Sequence, residues 1–284
     1  MEKSYRAELT ACLGDPVDGN PTGVMEEAAF AAKGLNWRYL TIRVRKGDLA
    51  DAFAGLKAMG FCGCNLTMPH KLDILPMLDE LTEAASIIGA ANTVIQRDGR
   101  WIGENTDGKG FVTSLRLAGV DPAGKRFTIL GAGGAARAIA VECALAGAKS
   151  ITIINRNADR GQALSRLIAE KTAAQSSYLP WVPRMPIPSE TEILINATCV
   201  GLHPNVADKP DVDYSTISAN LVVSDVVFNP VDPLFLQEAR ARGAKTISGI
   251  GMLVQQGALN FTLWTGETAP TNVMYDTLKQ EFHQ

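Results

Sequence analysis

Long apolar runs are missing from this chain. No stretch among its 284 residues approaches the ~18 consecutive apolar residues that a membrane-spanning helix needs, so no membrane partner is expected. The start, Met1 to Ala7, is charged and lacks the apolar core of a secretory leader, which makes the cytoplasm the expected compartment. A basic patch is missing as well. The net charge is −3, with 27 Lys and Arg scattered among 30 Asp and Glu, and nucleic acid is therefore not an expected partner. Cysteine is sparse and odd in number: Cys12, Cys62, Cys64, Cys143 and Cys199 lie in apolar segments, which points to buried free thiols in a reducing compartment rather than disulfides. Cys62 and Cys64 are spaced C-x-C without a second pair or a histidine cluster, so no metal is expected.

What is present is an α/β pattern. With 46% hydrophobic and 20% charged residues, the chain can bury a sizeable core and is expected to form two domains that act on small molecules. In the first hundred residues, short apolar runs alternate with amphipathic stretches. Strands are predicted at Glu8 to Leu13, Trp37 to Val44 and Cys62 to Leu66, with helices at Val24 to Lys33 and Leu49 to Met59 and two short helices around Pro76 between Leu72 and Ile88. Asn92 to Gln96 and Trp101 to Gly103 read as a hairpin over Arg97-Asp98-Gly99-Arg100. A helix from Gly108 to Ala118 leads into a second domain, with the boundary near Asp107. There, strands at 127–130, 150–154, 193–195, 221–223 and near Thr246 alternate with helices at 134–145, 158–173 and 234–242, and a polar, proline-bearing segment from Gln175 to Pro188 reads as a loop. Two helical segments, Met252 to Trp264 and Thr271 to Phe282, close the chain and are expected to pack back on the first domain. The expected division is residues 1–106, 107–248 and 249–284. Neither an internal repeat nor a low-complexity tract is present.

The apolar strand Phe127 to Leu130 runs directly into Gly131-Ala132-Gly133-Gly134-Ala135-Ala136 and an Ala-rich helix. Such a turn binds dinucleotides: Gly131 permits the bend, Gly133 removes bulk where pyrophosphate approaches, and Ala136 lets helix and strand pack closely. The anion would sit on free N–H groups at the helix start, around Gly134 and Ala135. NAD-specific sites carry an acidic residue at the end of the second strand, whereas this chain has Asn155-Arg156-Asn157 and then Arg160. Those groups suit a 2′-phosphate, so NADP is the expected cofactor. Asp159 in the same segment reads as a helix-start charge.

Two ionisable residues stand out in polar turns after apolar segments. Lys71 ends Asn65-Leu66-Thr67-Met68-Pro69-His70-Lys71, and Asp107 ends Glu104-Asn105-Thr106-Asp107. They read as a proton-transfer pair, and with a redox cofactor they suggest interconversion of an alcohol and a ketone. Gln256 interrupts an apolar helical stripe formed by Met252, Leu259 and Leu263.

The motifs together resemble the shikimate dehydrogenase family. The similarity runs through Gly14-Asp15-Pro16-Val17, Asn65 to Lys71, Ala90-Ala91-Asn92-Thr93, Asn105-Thr106-Asp107, Gly131 to Ala136, Asn155-Arg156, Asn196-Ala197-Thr198 and Gly251 to Gln256, in the family's order and over nearly the whole chain. The resemblance implies an N-terminal α/β substrate domain, a Rossmann domain, a catalytic cleft between them, and reversible hydride transfer between NADP and C3 of a cyclohexene carboxylate. It makes Lys71 the acid–base group on the C3 oxygen and Asp107 its orienting partner. An ordinary lysine, with a pKa near ~10.4, is a poor base at neutral pH, so it acts as a proton donor to the ketone unless its surroundings modulate it. Asn65, Thr67, Asn92 and Gln256 become neutral partners for ring hydroxyls. Thr198 and Gly251 join the cofactor site.

The departures from the family pattern lie at one end of the substrate. The family's Ser-x-Ser pair for the substrate carboxylate is replaced by Asn20 and Thr22, the following Pro by Gly23, and a His-Asn pair by Glu26 and Glu27. A family Tyr is Phe228 here. Both Asn20 and Thr22 can still donate to an anion. The expected substrate is shikimate or a close cyclic hydroxy acid such as quinate or aminoshikimate; a non-catalytic NADP-binding sensor is the alternative from another class. The sequence leaves assembly open, a homodimer included.

Overall fold

A computed structural model describes residues 5–282. Contacts divide the chain into two compact units, one formed by residues up to Thr106 together with the segment from Gln256, the other by Asp107–Gln255.

The first unit begins with β1 (Glu8–Gly14), α1 (Thr22–Ala32), β2 (Trp37–Arg43), α2 (Leu49–Ala58) and β3 (Gly63–Leu66). α3 (His70–Asp73), a 3-10 turn at Leu75–Met77, β4 (Glu80–Leu81), α4 (Glu83–Ile88), β5 (Thr93–Arg97) and β6 (Arg100–Glu104) follow. Its six strands are ordered β2-β1-β3-β5-β6-β4. β1 lies parallel to β2 and β3, while β5 is antiparallel to both β3 and β6. The hairpin closes where Asp98 and Gly99 both take positive φ, 51° and 78°, as a tight two-residue turn requires. Ala11, Leu13, Phe53, Leu56, Cys64, Leu66, Val94 and Trp101 form the buried core, each large aliphatic side chain there contributing on the order of 2 kcal/mol.

The second unit takes in most of α5 (Thr106–Leu117) and then alternates strand and helix through β7 (Arg126–Leu130), α6 (Gly134–Leu145), β8 (Ser150–Asn155), α7 (Ala158–Lys171) and β9 (Gln175–Pro180). β10 (Ile193–Asn196), β11 (Val222–Asp225), α8 (Leu234–Arg240) and β12 (Lys245–Ile247) complete its sheet, which is wholly parallel and ordered β12-β11-β10-β7-β8-β9. Both faces are covered, as a parallel sheet demands. Ile129, Ile153 and Ile195 pack into one cluster, while their neighbours Leu130, Ile154 and Leu194 pack into another, following the two-residue alternation of strand side chains. Strand order reverses between β7 and β10, the position where doubly wound sheets bind dinucleotides. α9 (Gly249–Thr265) and α10 (Thr271–Glu281) end the chain; the part of α9 up to Gln255 groups with the second unit, and the rest with the first.

Three expectations need correction. The Gln175–Pro188 segment is a loop only in its second half, because Gln175–Pro180 pairs with β8 over Ser150 to Asn155. An edge strand needs one paired side, so the polar Ser176 and Ser177 and the terminal Pro180 are tolerated; the Ser176 hydroxyl donates to the Ile151 carbonyl and the Tyr178 hydroxyl to that of Asn155. The stretch around Pro76 also holds the two-residue strand β4, paired with Ile102 and Gly103. Finally, Cys199 is exposed and Cys62 half-buried, since Cys199 sits in the loop after β10 and Cys62 just before β3.

Candidate active site

In the second unit, the turn after β7 is made by backbone. Gly131 takes φ 111°, and a Cβ there would lie 3.0 Å from both the Ala197 carbonyl oxygen and the Thr198 methyl. The loops after β7 and β10 therefore meet at the strand-order reversal. Gly133 and Gly134 differ: a Cβ on either would enter open space. Their missing side chains leave room beside the first turn of α6, which carries no side-chain cap. Uncapped N–H groups and an open approach are what a pyrophosphate requires.

Asn155 ends β8 and donates from its amide to the Asn157 carbonyl (2.8 Å), while Asn157 caps α7 by accepting from the Arg160 N–H (2.9 Å). Arg156 and Arg160 are exposed and neither makes an ion pair among the described residues, which leaves two guanidinium groups for an added phosphate. Asp159 lies in the first turn of α7, where it favours the helix. Thr198 donates its hydroxyl to Asn196 Oδ1 at 2.6 Å. Gly251 is in the first turn of α9, and a Cβ on it would meet Ser114 at 3.3 Å. Asp107 occupies the first turn of α5.

The substrate-type residues gather in the first unit. Asn65, at the end of β3, accepts from the Tyr39 hydroxyl (2.8 Å) and donates to the Asn92 carbonyl (3.1 Å) and to Thr93 Oγ1 (3.0 Å). Asn92 Oδ1 accepts from the Thr106 N–H at 2.7 Å. The Thr93 and Thr106 hydroxyls each lie 2.8 Å from Asn260 Oδ1, and Asn260 in turn donates to Gln256 Oε1 at 3.1 Å. Lys71 stands in α3, whose position is held from both sides: the ring Nε2 of fully buried His70 bonds the Val44 carbonyl at 2.7 Å, and the Lys71 carbonyl accepts from the Ala91 N–H at 2.9 Å. Thr67 follows β3 with its methyl against Gly14, where a Cβ would be only 2.2 Å away.

Asn20 and Thr22 occupy the approach to α1. Asn20 Oδ1 accepts the Thr22 N–H at 3.0 Å, and the side-chain amide nitrogen donates to Cys12 Sγ at 3.3 Å. Lys71 acts electrostatically on that thiol, which burial nevertheless pushes up to about 11. Tyr39, buried beside it, is raised above the usual phenol range by burial and then by Cys12 and Glu26. Sequence reasoning missed Tyr39, Thr93 and Asn260 as members of this set. The one available signal was Asn260, four residues after Gln256 on the same apolar helix.

Residues 12–94 match the family model described as the shikimate dehydrogenase substrate binding domain, and residues 249–279 match that of the shikimate 5′-dehydrogenase C-terminal domain. A shikimate dehydrogenase (NADP(+)) of Desulforamulus reducens is 40% identical over 282 residues, covering 97% of this chain and 96% of the relative. The chain belongs to the shikimate dehydrogenase family. It is thus an oxidoreductase. A family member of the same name from Moorella thermoacetica is 45% identical, covering 96% of this chain and 92% of its own. Among solved structures, the ligand-free 5-ketofructose reductase of a Gluconobacter species is 46% identical with a TM-score of 0.95, covering 98% of this chain and 100% of that one.

Proposed function

We propose that this protein is an NADP-dependent dehydrogenase that reversibly interconverts a secondary alcohol and a ketone on a polyhydroxylated small molecule, shikimate or a close analogue. The observation that carries this reading is the buried amide and hydroxyl set ending at Gln256 in the same unit as the anchored lysine of α3. Neutral donors and acceptors bind hydroxyls without the desolvation cost of added charge. Relatives named for NADP support the cofactor, as do the uncapped start of α6 and the two exposed arginines after β8.

Bound NADP supplies the hydride donor or acceptor. Lys71 gives a proton to the carbonyl oxygen as the ketone is reduced and takes it back in the reverse direction, Asp107 is the second ionisable group of the proposed pair, and Asn65, Thr67, Asn92 and Gln256 fix the remaining hydroxyls. Asn155, Arg156 and Arg160 hold the 2′-phosphate end of the cofactor, while the Gly131 to Ala135 turn, Thr198 and Gly251 line the rest. A second reading has its own support: the Gluconobacter relative is named for a polyhydroxy ketone that carries no carboxylate.

Steady-state rates with shikimate, quinate, aminoshikimate and 5-ketofructose, each with both nicotinamide cofactors, test the assignment. Turnover with NADP(H) is expected. In the Lys71→Ala variant kcat should drop by about 10²–10⁴-fold with KM little changed; an equal loss in binding would remove the lysine from the chemistry. Tight NADP binding without turnover of any compound would make the protein a sensor instead.

A further inference from the structure

Glu26 is a carboxylic acid buried without a partner. Its residue is fully enclosed, and neither carboxyl oxygen has a hydrogen-bonding group within reach among the described residues. A group left in that state costs roughly 1–3 kcal/mol or more, so its presence calls for a physical reason. It lies on α1 one turn after Thr22, on the same buried face. On the other side it meets α9: a Cβ on Gly257, the residue after Gln256, would be 3.2 Å from Glu26 Oε1. The carboxyl therefore lies behind Thr22 and against the helix that carries Gln256.

A carboxylate bound at this corner would need several donors or a cation. The first-turn N–H of Thr22 is already taken by the Asn20 side chain, and the Asn20 amide is turned to Cys12. Burial is the single cause that moves the Glu26 carboxyl, so no lysine or arginine acts on it among the described residues, and it stays protonated well above the ordinary carboxylate range. Lys71, the cation that acts on Cys12, is reserved for the reacting oxygen. What remains at the approach to α1 is neutral: the Thr22 hydroxyl, the Asn20 amide and an un-ionised acid behind them.

We infer that this corner selects an uncharged polyhydroxy ketone over a ring bearing a carboxylate, with Asn20 and Thr22 as the specificity-determining contacts and Glu26 as the buried acid behind them. The inference rests on the NADP-dependent reductase reading and narrows its substrate class. In the reaction, NADPH gives hydride to the carbonyl carbon and Lys71 gives a proton to its oxygen, yielding the secondary alcohol and NADP⁺.

The test compares 5-ketofructose and 3-dehydroshikimate as ketones for the full-length protein with NADPH. The uncharged ketone should show a kcat/KM at least 100-fold higher. An Asn20→Ser, Thr22→Ser double variant should narrow that ratio at least ten-fold by improving use of the acid. Glu26→Ala should raise KM for the uncharged ketone about ten-fold with a smaller effect on kcat, and Glu26→Gln, which keeps a donor and an acceptor in the same volume, should restore most of that loss. If Glu26→Ala fails to fold, the substrate ratio in wild type and in the double variant decides. Wild-type preference for 3-dehydroshikimate would overturn this inference and leave the reductase reading standing. Failure of both ketones to turn over, with NADPH still bound by its fluorescence, would overturn both.

Discussion

The turn at Gly131 to Ala135 and the corner at Asn20, Thr22 and Glu26 solve recognition in opposite ways. The turn works by absence: glycines clear space and leave main-chain N–H groups at a helix start, so its chemistry is the same whatever lies elsewhere in the chain. The corner works by presence: the Asn20 side chain is held between the Thr22 N–H and the Cys12 sulfur, with Glu26 enclosed behind them, before any ligand arrives. Backbone recognition suits a cofactor common to many enzymes. Recognition by side chains can be rewritten by two or three substitutions, and this chain carries such substitutions.

The largest expected effect lies in the second unit, at Asp225, at the end of β11. Although its Oδ1 accepts from Asn196 and from the Val227 N–H, burial lifts the carboxyl to about 7 from an ordinary 3.8. The folded state thus keeps a proton that the unfolded chain has lost. Stability contributed by this group is greatest below about pH 4, falls as pH rises through the window to 7, and is level above it, a change of up to about 4 kcal/mol. Glu26 is shifted in the same direction, so the comparison is made between wild type and Asp225→Asn: denaturation curves from pH 5 to 8 should decline less steeply in the variant. Equal slopes would mean that water reaches Asp225.

A smaller effect is expected in the side-chain network. Thr93→Val removes the hydroxyl between Asn65 and Asn260 while keeping the side-chain shape, and leaves buried amides short of a partner; the cost should be about 2–3 kcal/mol in chemical denaturation. A loss below 0.5 kcal/mol would place ordered water in the network. Smaller still, and confined to one cofactor, Arg156→Ala should raise the KM for NADPH about ten-fold and leave NADH nearly unaffected. Equal losses with both would show that this arginine holds the backbone turn instead of the phosphate.

The contrast also explains what could be read before folding. Gly131 to Ala135 is contiguous and follows an apolar strand, so spacing alone exposes its role, and the run ending in Lys71 is equally local. The corner is only partly local: Asn20, Thr22 and Glu26 stand out as departures from the family pattern, whereas Tyr39 looks like a strand residue and Asn260 is 167 positions from the Thr93 it bonds. Each has an ordinary reading by itself, and only the fold brings them together. β9 was hidden for another reason. Serine and proline argue for a loop, yet an edge position with one paired side relaxes the preferences that govern a central strand.

The chain of amides and hydroxyls from Tyr39 to Gln256 also has a direction. The Tyr39 hydroxyl donates to Asn65 Oδ1, the Asn65 amide to Thr93 Oγ1, the Thr93 hydroxyl to Asn260 Oδ1 and the Asn260 amide to Gln256 Oε1. The last amide in the row therefore has its oxygen committed within the unit. Four hydrogen bonds in series thus join Tyr39 to Gln256, so a substitution at the phenol is felt at the far end of the row.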